Sequence, residues 1–234
     1  MNNSAVIPHP KLENDFYDWY ARHETKKKLA WEKRYDVIFI GDSITHLFEG
    51  DPNVPGRGEK VWGKEFSQVQ VLNLGFGWDR TQNVLWRLEH GEFTHQQPKL
   101  VVLNIGTNNL TGTPNAHENT VDEIFGAIRT ICERILRASP KTTILLMGLF
   151  PRGRKNDGFR DRIEVLNRRL EGYAAQSNRI RFMDIGDKFL DPQQEIVDTL
   201  MPDLVHPSEK GYRIWAKAVK PIIDEINRPS VNQS

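Results

Sequence analysis

Five short apolar runs recur along this chain, and each one stops at a glycine or a polar residue. They occupy residues 37–40, 69–72, 100–105, 143–147 and 180–183. Runs of this length that are rich in β-branched residues predict buried strands rather than helices. Helical segments separate them, and this alternation is typical of a parallel sheet covered by helices on both faces. The sequence therefore predicts an α/β domain.

The helices between these strands are predicted from amphipathic patterns and end signals. They cover residues 81–88, 118–138, 157–176 and a last segment from Ser208 to about residue 226. Thr81 and Ser208 are predicted N-caps. We expect residues 1–34 to form a loose tail and then a helical arm packed on the domain. Residues 35–228 are expected to form one domain, and residues 229–234 a disordered tail.

Composition excludes several classes of protein. The 234 residues carry a formal net charge of +1, so bulk electrostatics attracts the chain neither to nucleic acid nor to an anionic membrane. No apolar stretch is long enough to span a bilayer, and the N-terminus lacks a signal-peptide pattern. A soluble chain is predicted, with cytoplasmic and secreted placements both open. The single cysteine, Cys132, lies in a helical pattern and is expected in the core.

Ser43 follows the first apolar run, in the sequence Gly41-Asp42-Ser43. A side chain at that junction lies at the carboxyl end of a strand, which is where open α/β sheets bind ligands. Backbone N–H groups at the start of a helix also favour negative charge. Ser43 is thus a candidate nucleophile, although a serine in this position can equally be a helix N-cap.

Two other strands end in groups that are able to assist such a serine. The second strand runs into Gly75, and the third is followed by Asn108. Because the carboxyl ends of parallel strands share one edge of the sheet, we expect a hydroxyl, a backbone N–H and an amide to converge there. These are the parts of an oxyanion hole.

A serine nucleophile needs a general base, and the chain has seven histidines. Five are expected at the surface, namely His9, His23, His90, His95 and His117. His46 is expected to point away from Ser43 on the following helix. In the remaining case, Asp203 stands three residues before His206, so a turn would let the carboxylate hold one imidazole nitrogen while the other faces Ser43. No second histidine or cysteine stands at ligand spacing, so no metal site is predicted.

Four blocks of sequence carry a family resemblance. They are Gly41-Asp42-Ser43-Ile44-Thr45, Asn73-Leu74-Gly75, Gly106-Thr107-Asn108-Asn109, and Asp203 with His206. In this order they resemble the four sequence blocks of the SGNH (GDSL) hydrolases. Residues 81–92 and 148–153 further resemble the branch that contains the catalytic subunits of platelet-activating factor acetylhydrolase Ib. The resemblance covers roughly residues 35–225 and leaves the N-terminal arm outside.

The resemblance implies a three-layer, flavodoxin-like α/β/α fold with a five-stranded parallel sheet, and ester hydrolysis without a cofactor. It implies that Ser43 is the nucleophile, that His206 is the general base and then the acid, and that Asp203 orients His206. The implied oxyanion hole consists of the N–H groups of Ser43 and Gly75 and the side chain of Asn108. Mammalian members pair as dimers, so a homodimer is one hypothesis for this chain.

Trp78 departs from the mammalian members, which have a smaller residue at this position. We predict that Trp78 and its neighbour Asp79 bind substrate, with the indole stacked on a sugar face. A packing role for Trp78 is the alternative.

Together, these features predict a serine esterase that acts on a short acyl ester, chiefly acetyl, of a small-molecule alcohol. That alcohol is predicted to be a carbohydrate or a lipid headgroup. One alternative is an acyltransferase that uses the same three residues. Another is a catalytically silent binding module that retains the fold.

Overall fold

A five-stranded parallel sheet forms the centre of the computed structural model, which describes residues 3–227. The strands are β1 (Val37–Gly41), β2 (Val71–Gly75), β3 (Leu100–Asn104), β4 (Thr143–Met147) and β5 (Ile180–Met183). Their order in the sheet is β2-β1-β3-β4-β5. This is the flavodoxin-like order, in which ligands bind at the carboxyl ends near the switch point between β1 and β3. The predicted five-stranded parallel sheet is confirmed.

Helices cover both faces of this sheet. They are α1 (Trp19–Glu32), α2 (Ser43–Glu49), α3 (Glu59–Phe66), α4 (Thr81–Glu89), α5 (Val121–Ala138), α6 (Phe159–Ala174) and α7 (Glu209–Asn227). Side chains alternate along each strand, so Ile38 and Ile40 pack with α4, α5 and α6, while Val37 and Phe39 pack with α2, α3 and α7. The predicted three-layer α/β/α architecture is confirmed.

Two helices begin differently from the prediction because of how their N-termini are capped. The helix α5 begins at Val121, because Thr120 and Glu123 form a reciprocal capping box. Thr81 is the first residue of α4 rather than its cap, since the N-cap is Arg80 and its N–H donates to Asn83 Oδ1. Ser208 behaves as predicted, with its Oγ accepting a 3.3 Å hydrogen bond from the Gly211 N–H.

The N-terminal residues are packed rather than loose. Ser4–Val6 form a 3-10 turn in which Ala5 is buried, and the Thr81 hydroxyl donates a 2.8 Å hydrogen bond to the Ala5 carbonyl. The expectation of a loose tail is therefore wrong for the described part of residues 1–10. The arm becomes helical only at Trp19, after Asp18 caps α1. The predicted tail at 229–234 lies outside the described residues.

Among residues 3–227, no helix is both long enough and apolar enough to cross a bilayer.

Candidate active site

Ser43 occupies the first position of α2, directly after β1. Asp42 is the N-cap, because its Oδ1 accepts a 2.9 Å hydrogen bond from the Ile44 N–H. The reading of Ser43 as the cap is therefore wrong, and Asp42 holds the turn. As the first helical residue, Ser43 has an N–H with no partner inside its helix, and its hydroxyl is free to face another side chain.

Three predicted residues lie together at this edge of the sheet. Ser43 Oγ is 2.8 Å from His206 Nε2, and His206 Nδ1 is 3.0 Å from Asp203 Oδ2. The His206 N–H also donates a 2.7 Å hydrogen bond to Asp203 Oδ1. Between the two, Leu204 has a φ of 61°, a left-handed conformation that closes the turn. A hydroxyl, an imidazole and a carboxylate thus form one hydrogen-bonded line.

The electrostatics of Asp203 suit an orienting role. Burial alone would raise the pKa of this carboxyl, but hydrogen bonds from the His206 imidazole and N–H outweigh burial and hold it well below its usual range. Asp203 is therefore ionised at neutral pH. An ionised Asp203 accepts a hydrogen bond from His206 Nδ1–H, which leaves Nε2 as the acceptor that faces Ser43.

Arg57 is a residue of this site that sequence reasoning missed. It lies in the loop between α2 and α3, and its Nη2 donates a 2.9 Å hydrogen bond to Asp203 Oδ2. Its Nη1 donates to the carbonyl oxygen of His206 at 3.3 Å. No motif marks Arg57, because a loop arginine gives no periodic signal and its partner is far along the chain.

Asn108 reaches the site from a 3-10 turn (Asn108–Leu110) that follows β3. Its Nδ2 donates a 3.0 Å hydrogen bond to the Asp79 carbonyl, and the side chain is buried. An amide nitrogen carries two hydrogens. The second hydrogen of Asn108 Nδ2 is therefore available to a ligand.

Gly75 is placed differently from its prediction. Its N–H donates a 2.8 Å hydrogen bond to Asn73 Oδ1, so that donor is already engaged. A Cβ on Gly75 would overlap the backbone nitrogen of His46 at the start of α2. The absence of a side chain thus lets α2 approach β2, which is a packing role rather than the predicted oxyanion contact.

The predicted substrate contact of Asp79 is contradicted by its burial. The carboxylate is 1% exposed, and its two oxygens accept hydrogen bonds from Trp19 Nε1 and Arg87 Nε, both at 2.8 Å. Its neighbour Trp78 is 39% exposed and has a φ of 60°, which is uncommon for a bulky residue. Asp79 therefore anchors the loop from below, while Trp78 remains open to solvent.

A buried ion network supports this loop. Arg87 bonds to Glu92 as well as to Asp79, and Glu92 Oε1 lies 2.7 Å from His23 Nδ1. Burial tends to lower the pKa of Arg87, but the two carboxylates outweigh it and raise that pKa. His23 is 3% exposed, so its predicted surface position is wrong.

His46 is not placed to act on Ser43. It points away from Ser43, as predicted, with its Nε2 3.1 Å from Asp51 Oδ2. Burial lowers the pKa of His46 to about 2. The four remaining histidines, His9, His90, His95 and His117, are exposed as predicted. Within the described chain, no cluster of three His, Cys, Asp or Glu side chains has the geometry of a metal site.

Comparison with known proteins identifies the family. The sequence model of the GDSL-like Lipase/Acylhydrolase family matches residues 39–214. The chain belongs to the GDSL-like lipase/acylhydrolase family. The alpha2 subunit of platelet-activating factor acetylhydrolase IB from Rattus norvegicus is 32% identical over 226 residues, which cover 96% of this chain and 91% of the relative. The chain is accordingly an ester hydrolase.

Solved structures of the GDSL-like lipase/acylhydrolase fold agree with the architecture. A GDSL-like lipase from Bacteroides thetaiotaomicron superimposes with a TM-score of 0.68 at 24% identity, covering 90% of this chain and 99% of that chain. A catalytic mutant of an acetylxylan esterase from Geobacillus stearothermophilus gives a TM-score of 0.60 at 23% identity, covering 86% of this chain and 97% of that chain.

The N-terminal arm is part of the similarity to the rat relative, because that alignment covers 96% of this chain and so includes most of the arm. The expectation that the arm lies outside the resemblance is therefore wrong.

Proposed function

We propose that this chain is a serine esterase that hydrolyses short-chain acyl esters, chiefly acetyl esters of carbohydrates. Ser43 is the nucleophile, His206 the general base and then the acid, and Asp203 the carboxylate that orients the imidazole. The observation that carries this proposal is the line from Ser43 Oγ to His206 Nε2 at 2.8 Å and from His206 Nδ1 to Asp203 at 3.0 Å. A nucleophile and base within hydrogen-bond reach, with the base held by a third group, is the signature of covalent catalysis.

Acylation follows from this geometry. Ser43 Oγ attacks the ester carbonyl while His206 Nε2 takes the hydroxyl proton, and a tetrahedral intermediate with a negatively charged oxygen forms. When the bond to the alcohol oxygen breaks, His206 returns the proton to that oxygen, and the alcohol leaves. Water then repeats the sequence on the acyl-enzyme, so that the free acid leaves and Ser43 regains its proton.

The charged oxygen needs donors that are in place beforehand. The Ser43 N–H and the second hydrogen of Asn108 Nδ2 are two candidates. Because the Gly75 N–H is engaged by Asn73, a third donor is better sought in the loop that follows β2. In that loop the N–H groups of Gly77 and Trp78 make no hydrogen bond to the described residues. Losing one such donor typically costs about 2.7–4 kcal/mol of transition-state stabilisation.

Acetyl is the acyl group that the comparisons support best. The names of the rat relative, an acetylhydrolase, and of the acetylxylan esterase both specify removal of acetyl, although their alcohols differ. A carbohydrate alcohol is supported by the exposed indole of Trp78, next to the residue that binds Asn108, and by the polar composition of the chain.

Hydrolysis of p-nitrophenyl acetate by the wild type and by Ser43→Ala tests the proposal. We expect the variant to lose activity by a factor of at least about a thousand, because the remaining groups cannot form the acyl-enzyme. Ser67→Ala is the matched control, since Ser67 is exposed at the end of α3. Unchanged turnover in Ser43→Ala would exclude the assignment.

The acyl preference has its own test. We expect turnover of p-nitrophenyl esters to fall steeply as the acyl chain grows beyond a few carbons. Equal rates for acetate and long-chain esters would contradict an acetyl preference. Acetate release from acetylated saccharides and from acetylated lipids then compares the two alcohols directly.

A further inference from the structure

Residues 13–17 form a strap between the two loops that border the candidate active site. At one end Glu13 accepts hydrogen bonds from Thr113 Oγ1 and from Asn115 Nδ2, which lie in the loop after β3. At the other end the Tyr17 hydroxyl donates a 3.2 Å hydrogen bond to the carbonyl oxygen of Gly77, in the loop after β2. The strap therefore joins the two loops that carry Asn108 and Trp78.

Asp15 is the residue that the strap brings to the site. Its carboxylate rests on Gly77, where a Cβ would overlap Asp15 Oδ2, so the glycine permits this close approach. Oδ1 accepts a 2.8 Å hydrogen bond from the Phe16 N–H, whereas Oδ2 accepts none from the described residues. Asp15 is half-buried and interacts electrostatically with His206 and with Asp51. A carboxylate oxygen without a donor thus lies beside Gly77, in the loop that carries Trp78.

The chemistry of these neighbours selects one class of ligand. An indole packs well on the apolar face of a sugar ring, and a carboxylate oxygen accepts strong hydrogen bonds from hydroxyl groups. A phosphate next to the ester would instead meet the negative charge of Asp15. A neutral polyol therefore fits the surface formed by Asp15 and Trp78 better than a phospholipid headgroup does.

We propose that Asp15 and Trp78 bind the alcohol part of the substrate, and that this alcohol is a carbohydrate whose hydroxyls donate to Asp15 while its ring packs on Trp78. This inference rests on the proposed acetylesterase function and adds the N-terminal strap to the substrate site. It makes Asp15 a specificity-determining residue that acts on the alcohol and not on the acyl transfer itself.

The experiment compares two substrates, acetylated xylo-oligosaccharides and p-nitrophenyl acetate, whose alcohol has no sugar hydroxyls. Asp15→Asn retains an oxygen for the Phe16 N–H but loses the charge. We expect kcat/KM for the saccharide to fall about ten-fold more than kcat/KM for p-nitrophenyl acetate, mainly through KM. Trp78→Gly removes the indole and suits a positive φ. It should also lower kcat/KM for the saccharide more than kcat/KM for p-nitrophenyl acetate. Ser67→Ala, at the exposed end of α3 and outside the strap, is the control and should leave both values unchanged.

The outcomes separate this inference from the proposed function. Loss of the same factor on both substrates, or no change on the saccharide, would overturn the assignment of Asp15. So would a wild type that cleaves 1-O-alkyl-2-acetyl-glycerophosphocholine in preference to the saccharide. In each of these cases Ser43-dependent cleavage of p-nitrophenyl acetate would still stand. Loss of that Ser43 dependence would instead reject the proposed function.

Discussion

At the scale of single residues, one carboxylate oxygen of Asp203 serves two donors. Asp203 Oδ2 lies 3.0 Å from His206 Nδ1 and accepts a 2.9 Å hydrogen bond from Arg57 Nη2. Arg57 also donates to the carbonyl oxygen of His206, so it holds both ends of the turn that carries the proposed base. Arg57 is therefore a positioning residue, which acts on the proposed reaction through Asp203.

Replacement of Arg57 by glutamine tests that role. We expect kcat/KM for p-nitrophenyl acetate to fall about ten-fold, with Arg57→Lys in between, because lysine keeps the charge but lacks the planar fork. Because Arg57 acts through Asp203 and is not placed to touch the substrate, the loss should appear in kcat and leave KM nearly unchanged. Arg154→Gln removes the same charge at an exposed position and is the control. A loss that appears in KM while kcat stays unchanged would contradict the positioning role.

Asp42 gives a prediction about pH and stability. Burial raises the pKa of Asp42 to about 6, and its Oδ2 has no hydrogen-bond partner in the described residues. The folded state then binds this proton more tightly than the unfolded state, so Asp42 reduces stability as the pH rises from about 4 to about 6 and adds no further change above that.

The Asp42→Asn variant lacks this titration but keeps an oxygen for the Ile44 N–H. Between about pH 4 and pH 7, we expect the wild type to lose roughly 2.4 kcal/mol of unfolding free energy relative to the variant. Urea unfolding of both proteins at the two pH values measures that difference. Parallel pH profiles for the two proteins would show that Asp42 keeps its ordinary pKa.

At the scale of secondary-structure elements, two glycines differ in the space that an added methyl group would have. Gly75 lies where β2 meets the start of α2, and a Cβ there would overlap the His46 backbone. Gly63 lies on the exposed side of α3, where a Cβ would meet nothing within 4 Å. The first glycine is required by packing, whereas the second only lowers helix propensity.

The same substitution at these two positions should therefore have opposite effects. We expect Gly75→Ala to destabilise the fold by at least about 2 kcal/mol and to slow esterase turnover, because it displaces the helix that carries Ser43. Gly63→Ala should stabilise the fold by about 0.5–1 kcal/mol through helix propensity. Thermal unfolding of both variants measures the two changes in stability. Equal changes would mean that the contact between β2 and α2 is not tight.

The elements also show what the sequence can and cannot predict. The bounds of β4 follow directly from its apolar run, because a parallel strand covered on both faces is a nearly continuous run of apolar residues. The bounds of β5 were also predicted, although this edge strand includes the exposed Arg181. The approach of Ser43 to His206 was predictable because ordered motifs fall at one edge of such a sheet. Arg57 and Asp15 were missed, since loop packing leaves no local pattern. The predictions for Gly75 and Asp79 were wrong because burial, which sequence alone does not give, assigned their polar groups to internal partners.

At the scale of the whole molecule, buried charges join the N-terminal arm to the active-site edge. Trp19 and Arg87 both bond to Asp79, which precedes α4. Arg87 continues to Glu92, which faces His23 of the arm. This network fixes the loop of Trp78 from beneath, so the arm contributes to the site through both its strap and its helix.

Arg87 is the centre of that network, and its loss should affect the fold as a whole. Arg87→Gln leaves two buried carboxylates without their shared cation, and removing one partner of a buried ion pair typically costs about 3–5 kcal/mol. Arg129→Gln is the matched control, because Arg129 is exposed and pairs with Glu133 at 3.5 Å along the surface of α5. Such a surface pair contributes at most about 0.5 kcal/mol. Urea denaturation compares the two variants, and a loss for Arg87→Gln as small as that for Arg129→Gln would show that the arm and the loop are held by packing alone.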